Sequence, residues 1–465
     1  MLGCVPADPP GSATGTATSE VSSADDGDPR SEALTDQAAA ELAAARRARF
    51  DLTGIIGTGQ SLSVGAQAPT PSTTATQPHF HNLKLDLGGA QVPPFDPSLA
   101  SLSLVPLVEP IRPFATTFPS AYPANIYGET PHAAMAAQVT AMARRAGVRD
   151  YATVHTVVGE SGQGMSVIDK AAVEVDVGAT STGRAYRATL FEASAIERLA
   201  TAGGKTYGVG AIVLTHGETD NGNPDYEAQM VQLASDYNHD LKAITGQRAT
   251  IPLITSQQHG IPFAAGQQFG MPLSTTAEWR IGVDHPEDFV CAAPKYQYPY
   301  AADNLHLVTR GYELLGEKYG EVYFQRVVLG RRWQPLQPLA VRRAGRIIAV
   351  RFHVPDPPLA WDPVLPEPHQ TALTQWSRGR GFELRQGATP LTITAVRIIG
   401  DTVLIVADAD VPAGATVGYA ATSDGIALPG VSVRWGKLID SDHTVGVFTG
   451  EAQPNYAVAF ELPVP

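Results

Sequence analysis

The sequence predicts an α/β protein: a three-layer α/β/α domain built on a parallel sheet, followed by a smaller all-β domain of sandwich type. Three observations lead there. From Phe50 to about Val327, short apolar runs alternate with helical patterns, the alternation that builds a parallel sheet covered on both faces. Glycine-rich or polar stretches follow several of these runs closely, as functional loops do at the carboxyl ends of such strands. Beyond Leu329-Gly330-Arg331-Arg332-Trp333 the texture changes. Short β-branched runs broken by Pro, Gly and Asp, with no helical period, then read as an all-β domain.

The chain of 465 residues is long enough for two or three domains. The division expected is a tether over residues 1–33, an α/β domain over 34–330 and an all-β domain over 331–465. Residues 5 to about 33 are rich in Ala, Ser, Thr, Gly, Asp and Pro, too poor in large apolar side chains to offset the entropy of ordering. Thr35-Asp36 caps an alanine-rich helix to about Arg49. Leu52–Ile56 is a strand. Residues 66–125 carry many Pro, Thr and Ser and little period, a long insertion suited to substrate-facing loops. Thr130 and Pro131 open a helix that runs through Arg145 and ends before Gly147. Strands follow over Tyr151–Val158 and Tyr207–Thr215, then a long helix over Asp225–Ile244, strands over Ile251–Ser256 and Asp288–Ala293, and a helix from near Val308. Strands of the β domain are expected over Arg346–Phe352, Leu391–Ile399, Thr402–Ala407 and Ala457–Leu462, with Val354–Pro368 as a loop. Trp361, Trp376 and Trp435 are read as core packing rather than sugar platforms.

A net charge of −13 argues against a nucleic-acid partner, which requires a basic face. No apolar run approaches the length of a membrane span. Two cysteines are too few for a disulfide framework and lack zinc spacing. Cys291 lies in the apolar run Phe289–Ala293 and reads as a core thiol. Met1-Leu2-Gly3-Cys4 resembles the end of a bacterial lipobox without the apolar stretch that precedes one, so Cys4 is a candidate lipid anchor, which would make the chain a secreted or cell-envelope protein. His155, His259 and His285 have no companion at metal spacing, and Gly159–Gly164 lacks the Lys-Ser/Thr ending of a phosphate loop. Neither a metal nor a cofactor is expected.

The chemistry gathers at two stretches. Gly57-Thr58-Gly59-Gln60-Ser61 follows the first strand; glycines permit the tight turn, and a serine presented there can act as a nucleophile. Ser63 is the neighbouring alternative. Far along the chain stands Asp303-Asn304-Leu305-His306. A serine hydroxyl needs a base in reach, and an imidazole base needs a carboxylate to fix its tautomer. Taken alone, each stretch reads better as an ordinary loop and a helix entry than as a catalytic element.

Together they resemble the SGNH (GDSL-type) hydrolase superfamily, in its acetylesterase branch of sialate O-acetylesterases and plant and bacterial carbohydrate esterases. Gly59-Gln60-Ser61-Leu62 resembles the branch's GQSN block, with Leu62 a departure toward the GDSL form. Gly162-Gln163-Gly164-Met165 resembles the glycine-rich second block, His216-Gly217-Glu218-Thr219-Asp220 the QGExD block, and Asp303 with His306 the final DxxH. The resemblance covers Phe50 to about Val327. It implies that Ser61 is the nucleophile, His306 the base and Asp303 its orienting carboxylate. It implies an oxyanion hole from the Ser61 N–H, the Gly164 N–H (Gly162 fits the motif as well) and the His216 ring, where related esterases have glutamine. Gln60 and Glu218 are implied as supports, Glu218 bracing the serine and glycine loops through backbone hydrogen bonds.

The function implied is removal of acyl groups, acetyl first, from a carbohydrate or small polar ester through an acyl-serine, with a small-molecule or polysaccharide ester as partner and no cofactor. A GDSL-type lipase or thioesterase is the alternative within enzymes. A non-catalytic cell-surface binding protein on a hydrolase scaffold is the alternative outside them, kept open by Leu62 and His216. The sequence leaves the oligomeric state open.

Overall fold

A computed structural model describes residues 50–71, 81–87, 96–111, 128–148, 150–177, 180–261, 269–368, 373–423 and 428–465. Cys4, the tether and the helix expected before Arg49 lie outside the described residues.

In chain order the first part contains strand β1 (Leu52–Gly59), β2 (Leu83–Asp86), β3 (Ser103–Pro106), helix α1 (Pro131–Arg145), β4 (Thr153–Gly159), the single-turn α2 (Met165–Ile168), β5 (Val175–Val177), β6 (Thr180–Thr182), α3 (Ala185–Ala202), β7 (Tyr207–Thr215), α4 (Tyr226–Thr245), β8 (Leu253–Gln257), α5 (Leu273–Asp284), β9 (Phe289–Pro294) and α6 (Thr309–Tyr323). The strands form one sheet in the order β3-β2-β4-β1-β7-β8-β9. All neighbours in it are parallel except the edge pair β2–β3. Buried residues on its two faces form separate apolar clusters, one with Phe191, Ile196, Leu233 and Tyr237 of α3 and α4, the other with Met135, Val139, Leu315 and Tyr319 of α1 and α6. The three-layer α/β/α architecture expected from the sequence is therefore the one observed.

The signals used for α1 are visible in its cap: the Thr130 hydroxyl accepts the His132 N–H, and Pro131 sits in the first turn. The insertion expected to be all loop is not: β2 and β3 extend the sheet on the β4 side. The sequence reading also passes over α3 and α5.

The second part is antiparallel: β10 (Gln337–Ala344), β11 (Ile347–His353), β12 (Ala360–Trp361), β13 (Phe382–Gln386), β14 (Thr389–Pro390), β15 (Ile393–Ile399), β16 (Thr402–Ala407), β17 (Thr416–Tyr419), β18 (Leu438–Ile439) and β19 (Phe460–Pro463). Two four-stranded sheets, β10-β11-β16-β15 and β14-β13-β17-β19, dominate. Ile348, Val350, Val403 and Ile405 from the first and Phe382, Leu384, Val417 and Phe460 from the second share one core; burial alternates along β11 and β16, while β13 and β17 are buried on both faces. Trp376 and Trp435 belong to that core, while Trp361 is half-buried with the Arg380 guanidinium 5.0 Å from its ring centre.

The same core includes Met271, Trp279, Cys291 and Tyr296 of the first part. Cys291 is a buried free thiol, and burial raises its pKa. The two parts also exchange buried hydrogen bonds. The Gln257 side chain donates to the Ala459 carbonyl and accepts from the Ala459 N–H, as a neighbouring strand would. The Lys318 ammonium donates to the Gln453 carbonyl and the Asn455 side chain. An apolar, hydrogen-bonded seam of this kind ties the β part to the sheet as a fixed body rather than a tethered module. No helix among the described residues is long and apolar enough to cross a membrane.

Candidate active site

Strand order β4-β1-β7-β8-β9 places β1 between β4 and β7, both later in the chain, so the chain leaves β1 to one side and returns on the other. A crevice opens outside the carboxyl ends of the strands at such a switch point. Ser61 follows β1 directly, the second block follows β4, and His216 is the first residue after β7.

The backbone at the end of β1 is shaped by contact. Gly59 has φ +139°, and a Cβ there would lie 2.0 Å from the Thr215 carbonyl oxygen. Only glycine lets β1 and β7 close this tightly. Gln60 donates its N–H to the same Thr215 carbonyl, and the chain turns into the short 3-10 segment Ser61–Ser63.

The Ser61 hydroxyl stands 2.9 Å from His306 Nε2, and His306 Nδ1 stands 2.7 Å from Asp303 Oδ2. The other carboxylate oxygen, Oδ1, accepts the backbone N–H groups of Leu305 and His306. Partial burial of Asp303 raises its pKa, but the hydrogen bonds from the His306 ring and these N–H groups outweigh it and hold the carboxyl below its ordinary value. The carboxylate is therefore ionised and fixed, and it orients Nδ1–H so that Nε2 faces the serine. Ser61 is 5% exposed and His306 half-buried. The competing Ser63 hydroxyl is engaged, donating to the Gln60 carbonyl at 2.7 Å.

The second block forms the N-terminus of α2. Gly164 is its N-cap, and the Met165 N–H donates to Asp220 Oδ2 at 2.8 Å. Among the described residues, the backbone N–H groups of Ser61 and Gly164 donate to no backbone acceptor outside regular elements.

His216 needs correction. Its ring is fully buried, with Nδ1 3.0 Å from the Tyr226 hydroxyl and Nε2 3.1 Å from the Gln163 carbonyl. Burial lowers its pKa, opposed by Asp220 and Glu218, so the ring is neutral with a single N–H. A carbonyl can only accept, which assigns that hydrogen to Nε2 and makes Nδ1 the acceptor of the tyrosine proton. No hydrogen is left for an oxyanion.

Glu218 needs correction too. Instead of bracing backbone loops, it accepts from the Lys295 ammonium at 2.5 Å, with both side chains buried. The bracing falls to Asp220, through Met165, and to Glu160, whose carboxylate accepts the N–H groups of Gly183, Arg184 and Ala185. Gln60 does reach the third block, its side-chain oxygen lying 3.4 Å from the Thr219 N–H.

Three contributors were not singled out by sequence. Lys295 is a buried charge just after an apolar strand, a visible oddity. Tyr226 opens a helix and reads as ordinary core. Asn304 occupies a spacer position of the DxxH block and anchors the loop: its side-chain amide donates to the Leu428 and Val431 carbonyls at 2.6 and 2.7 Å. His155 and His259 are buried, His155 with Nδ1 2.9 Å from His132 Nδ1 and His259 edge-on to Tyr296.

No protein-family model matches this sequence, and no curated protein matches it. Solved structures do. A carbohydrate acetylesterase from Xanthomonas citri aligns over 88% of this chain and 80% of its own, with 14% identity and a TM-score of 0.53. The protein NanS aligns over 59% of this chain and 98% of its own, at 12% identity and a TM-score of 0.36. A carbohydrate acetylesterase from Sinorhizobium meliloti aligns over 58% and 97%, at 12% identity and a TM-score of 0.31. At such identities the likeness is one of fold, carried by the Xanthomonas citri structure, whose alignment extends beyond the parallel sheet into the β part.

Proposed function

We propose that this protein is a serine esterase that removes acetyl groups from a carbohydrate or similar small polar ester. The observation that carries the reading is the unbroken chain from Ser61 Oγ through the His306 ring to the Asp303 carboxylate. The fold shared with a carbohydrate acetylesterase supports the substrate class.

Ser61 Oγ attacks the ester carbonyl carbon while its proton passes to His306 Nε2. The imidazolium is stabilised by Asp303, which stays ionised. The carbonyl oxygen becomes an oxyanion, for which the N–H groups of Ser61 and Gly164 are the donors in this reading. Collapse breaks the bond to the leaving oxygen, which takes the proton from Nε2. Water then gives a proton to the same nitrogen, attacks the acyl-Ser61 and releases acetate, restoring the free hydroxyl. No step calls on a metal or a cofactor.

The test is hydrolysis of nitrophenyl esters of increasing acyl length, with acetate release from acetylated polysaccharides. The reading predicts turnover of the acetyl ester and a decline as the chain lengthens. Preference for long acyl chains would instead indicate a lipase or thioesterase of the GDSL type. Absence of hydrolysis on all of them would point to a binding protein on this scaffold.

A further inference from the structure

His216 stands beside the proposed oxyanion hole with both ring nitrogens spent, which raises the question of what it does there. Its Nε2–H reaches the carbonyl oxygen of Gln163, and that carbonyl belongs to the same peptide group as the Gly164 N–H. In a trans peptide the C=O and N–H bonds point in opposite directions. Holding the oxygen on one side therefore aims the hydrogen to the other. This peptide turns about ψ of Gln163 and φ of Gly164, and Gly164 has no side chain to restrict it, so the plane is easy to rotate unless something holds it.

We infer that His216 is a positioning residue that fixes the Gln163–Gly164 peptide plane, and so points the Gly164 N–H at the developing oxyanion. This inference rests on the esterase reading and deepens it. The lock is a chain of two hydrogen bonds with one direction. The Tyr226 hydroxyl donates to Nδ1, which leaves the hydrogen on Nε2, and Nε2–H donates to Gln163 O. The Tyr226 ring lies stacked on the imidazole, centroids 5.7 Å apart and planes 14° apart, which holds the imidazole plane. Asp220 secures the following residue through the Met165 N–H, so the loop is pinned on both sides of Gly164. Burial keeps Tyr226 protonated and His216 neutral, the states that the chain requires.

The test begins with the native protein and a nitrophenyl alkylphosphonate, which forms a tetrahedral adduct on a reactive serine by loss of nitrophenol. In the crystal structure of the adduct, the phosphonyl oxygen is expected within hydrogen-bond distance of Gly164 N while His216 Nε2 remains on Gln163 O. Migration of Nε2 from Gln163 O to the phosphonyl oxygen would overturn the inference and make His216 a direct donor. Kinetics of His216→Gln, His216→Asn and Tyr226→Phe give the second arm. A glutamine amide can occupy the place of Nε2, whereas an asparagine amide reaches only as far as Nδ1. Misaiming one donor is worth up to about 100-fold in rate. The asparagine variant is therefore expected to lose on the order of 100-fold in kcat at nearly unchanged KM, and the glutamine variant to recover most of it. Tyr226→Phe removes the hydroxyl that anchors Nδ1 and frees the imidazole to tilt away from Gln163 O, so it is expected to lower kcat in the same direction, and it covers the case in which the asparagine variant does not fold. Native kcat in both His216→Asn and Tyr226→Phe would overturn the inference. If the native protein takes no phosphonate on Ser61 at all, the esterase reading fails and this inference falls with it.

Discussion

The side-chain amide of Asn304 lies 2.7 Å from the carbonyl of Val431, so the loop that carries Asp303 and His306 is held from the β domain. A second bond joins the same amide to the Leu428 carbonyl, and the Tyr300 N–H donates to the Gly430 carbonyl close by. Asn304 has φ +54°, a left-handed backbone that asparagine accepts more readily than most residues. The β domain is thus part of the frame that sets the geometry between His306 and Ser61.

Asn304→Ala is expected to release that frame. Two partly buried carbonyls lose their donor, at about 0.5–1.5 kcal/mol of stability each. The alanine also sits in a less favourable backbone region. Steady-state kinetics on nitrophenyl acetate should show kcat reduced by on the order of 10- to 100-fold with little change in KM, since misplacement of the base affects the reaction more than binding. Unchanged kcat in a folded variant would show that the loop holds its shape without the β domain.

Lys295 and Glu218 form a buried ion pair at 2.5 Å, and the ammonium also donates to the His216 carbonyl at 3.3 Å. Lys295→Met leaves the Glu218 carboxylate buried and unpaired, which costs about 3–5 kcal/mol. The double variant Lys295→Met with Glu218→Leu removes both charges and should recover much of that loss. Chemical unfolding of the three proteins measures it. Equal stability of the single and double variants would show that the pair does not act as a unit.

How much of this was legible in the sequence follows from where each signal resides. Ser61, His306 and Asp303 stand out in the sequence only because four motifs in order resemble the SGNH hydrolases; alone, the turn at Gly59 and the helix entry after His306 read as ordinary structure. The supports are not legible, because their partners come from far along the chain. Glu218 meets Lys295 of β9's end, His216 meets Gln163 of β4's loop, and Asn304 meets Leu428 and Val431 of the β domain. A sequence places a histidine near an oxyanion; which of its nitrogens is already committed depends on burial. Strands β2 and β3, four residues each and set among Pro and Gly, are too short for a period to register. The polar, threonine-containing α5 carries a weak apolar stripe, whereas α3 carries one at least as marked as those of α1 and α4 and is legible in the sequence.

Stability should depend on pH through Glu109. Burial pushes its carboxyl up to about 8, reinforced by the neighbouring Glu129 and opposed by the Thr130 hydroxyl and backbone and by Lys84. In the unfolded chain the same group titrates near 4.5. Between those values the native protein holds a proton that the unfolded chain has lost, so the native state binds more protons and its stability falls as pH rises. The contribution is fully present below about 4.5 and is lost as pH rises through about 8. Thermal unfolding from pH 5 to pH 9 should therefore show a decline in Tm that Glu109→Gln reduces. The same decline in both proteins would rule out Glu109 as its source.

The central claim is that Ser61, activated by His306, carries the reaction. Its most direct test is the hydrolysis of nitrophenyl acetate by the native protein and by Ser61→Ala. The substitution removes one buried oxygen and leaves the fold and the His306–Asp303 pair in place. The account predicts turnover by the native protein and a fall in the variant to the uncatalysed background. Turnover that persists in Ser61→Ala would contradict it, and would place the chemistry on another residue.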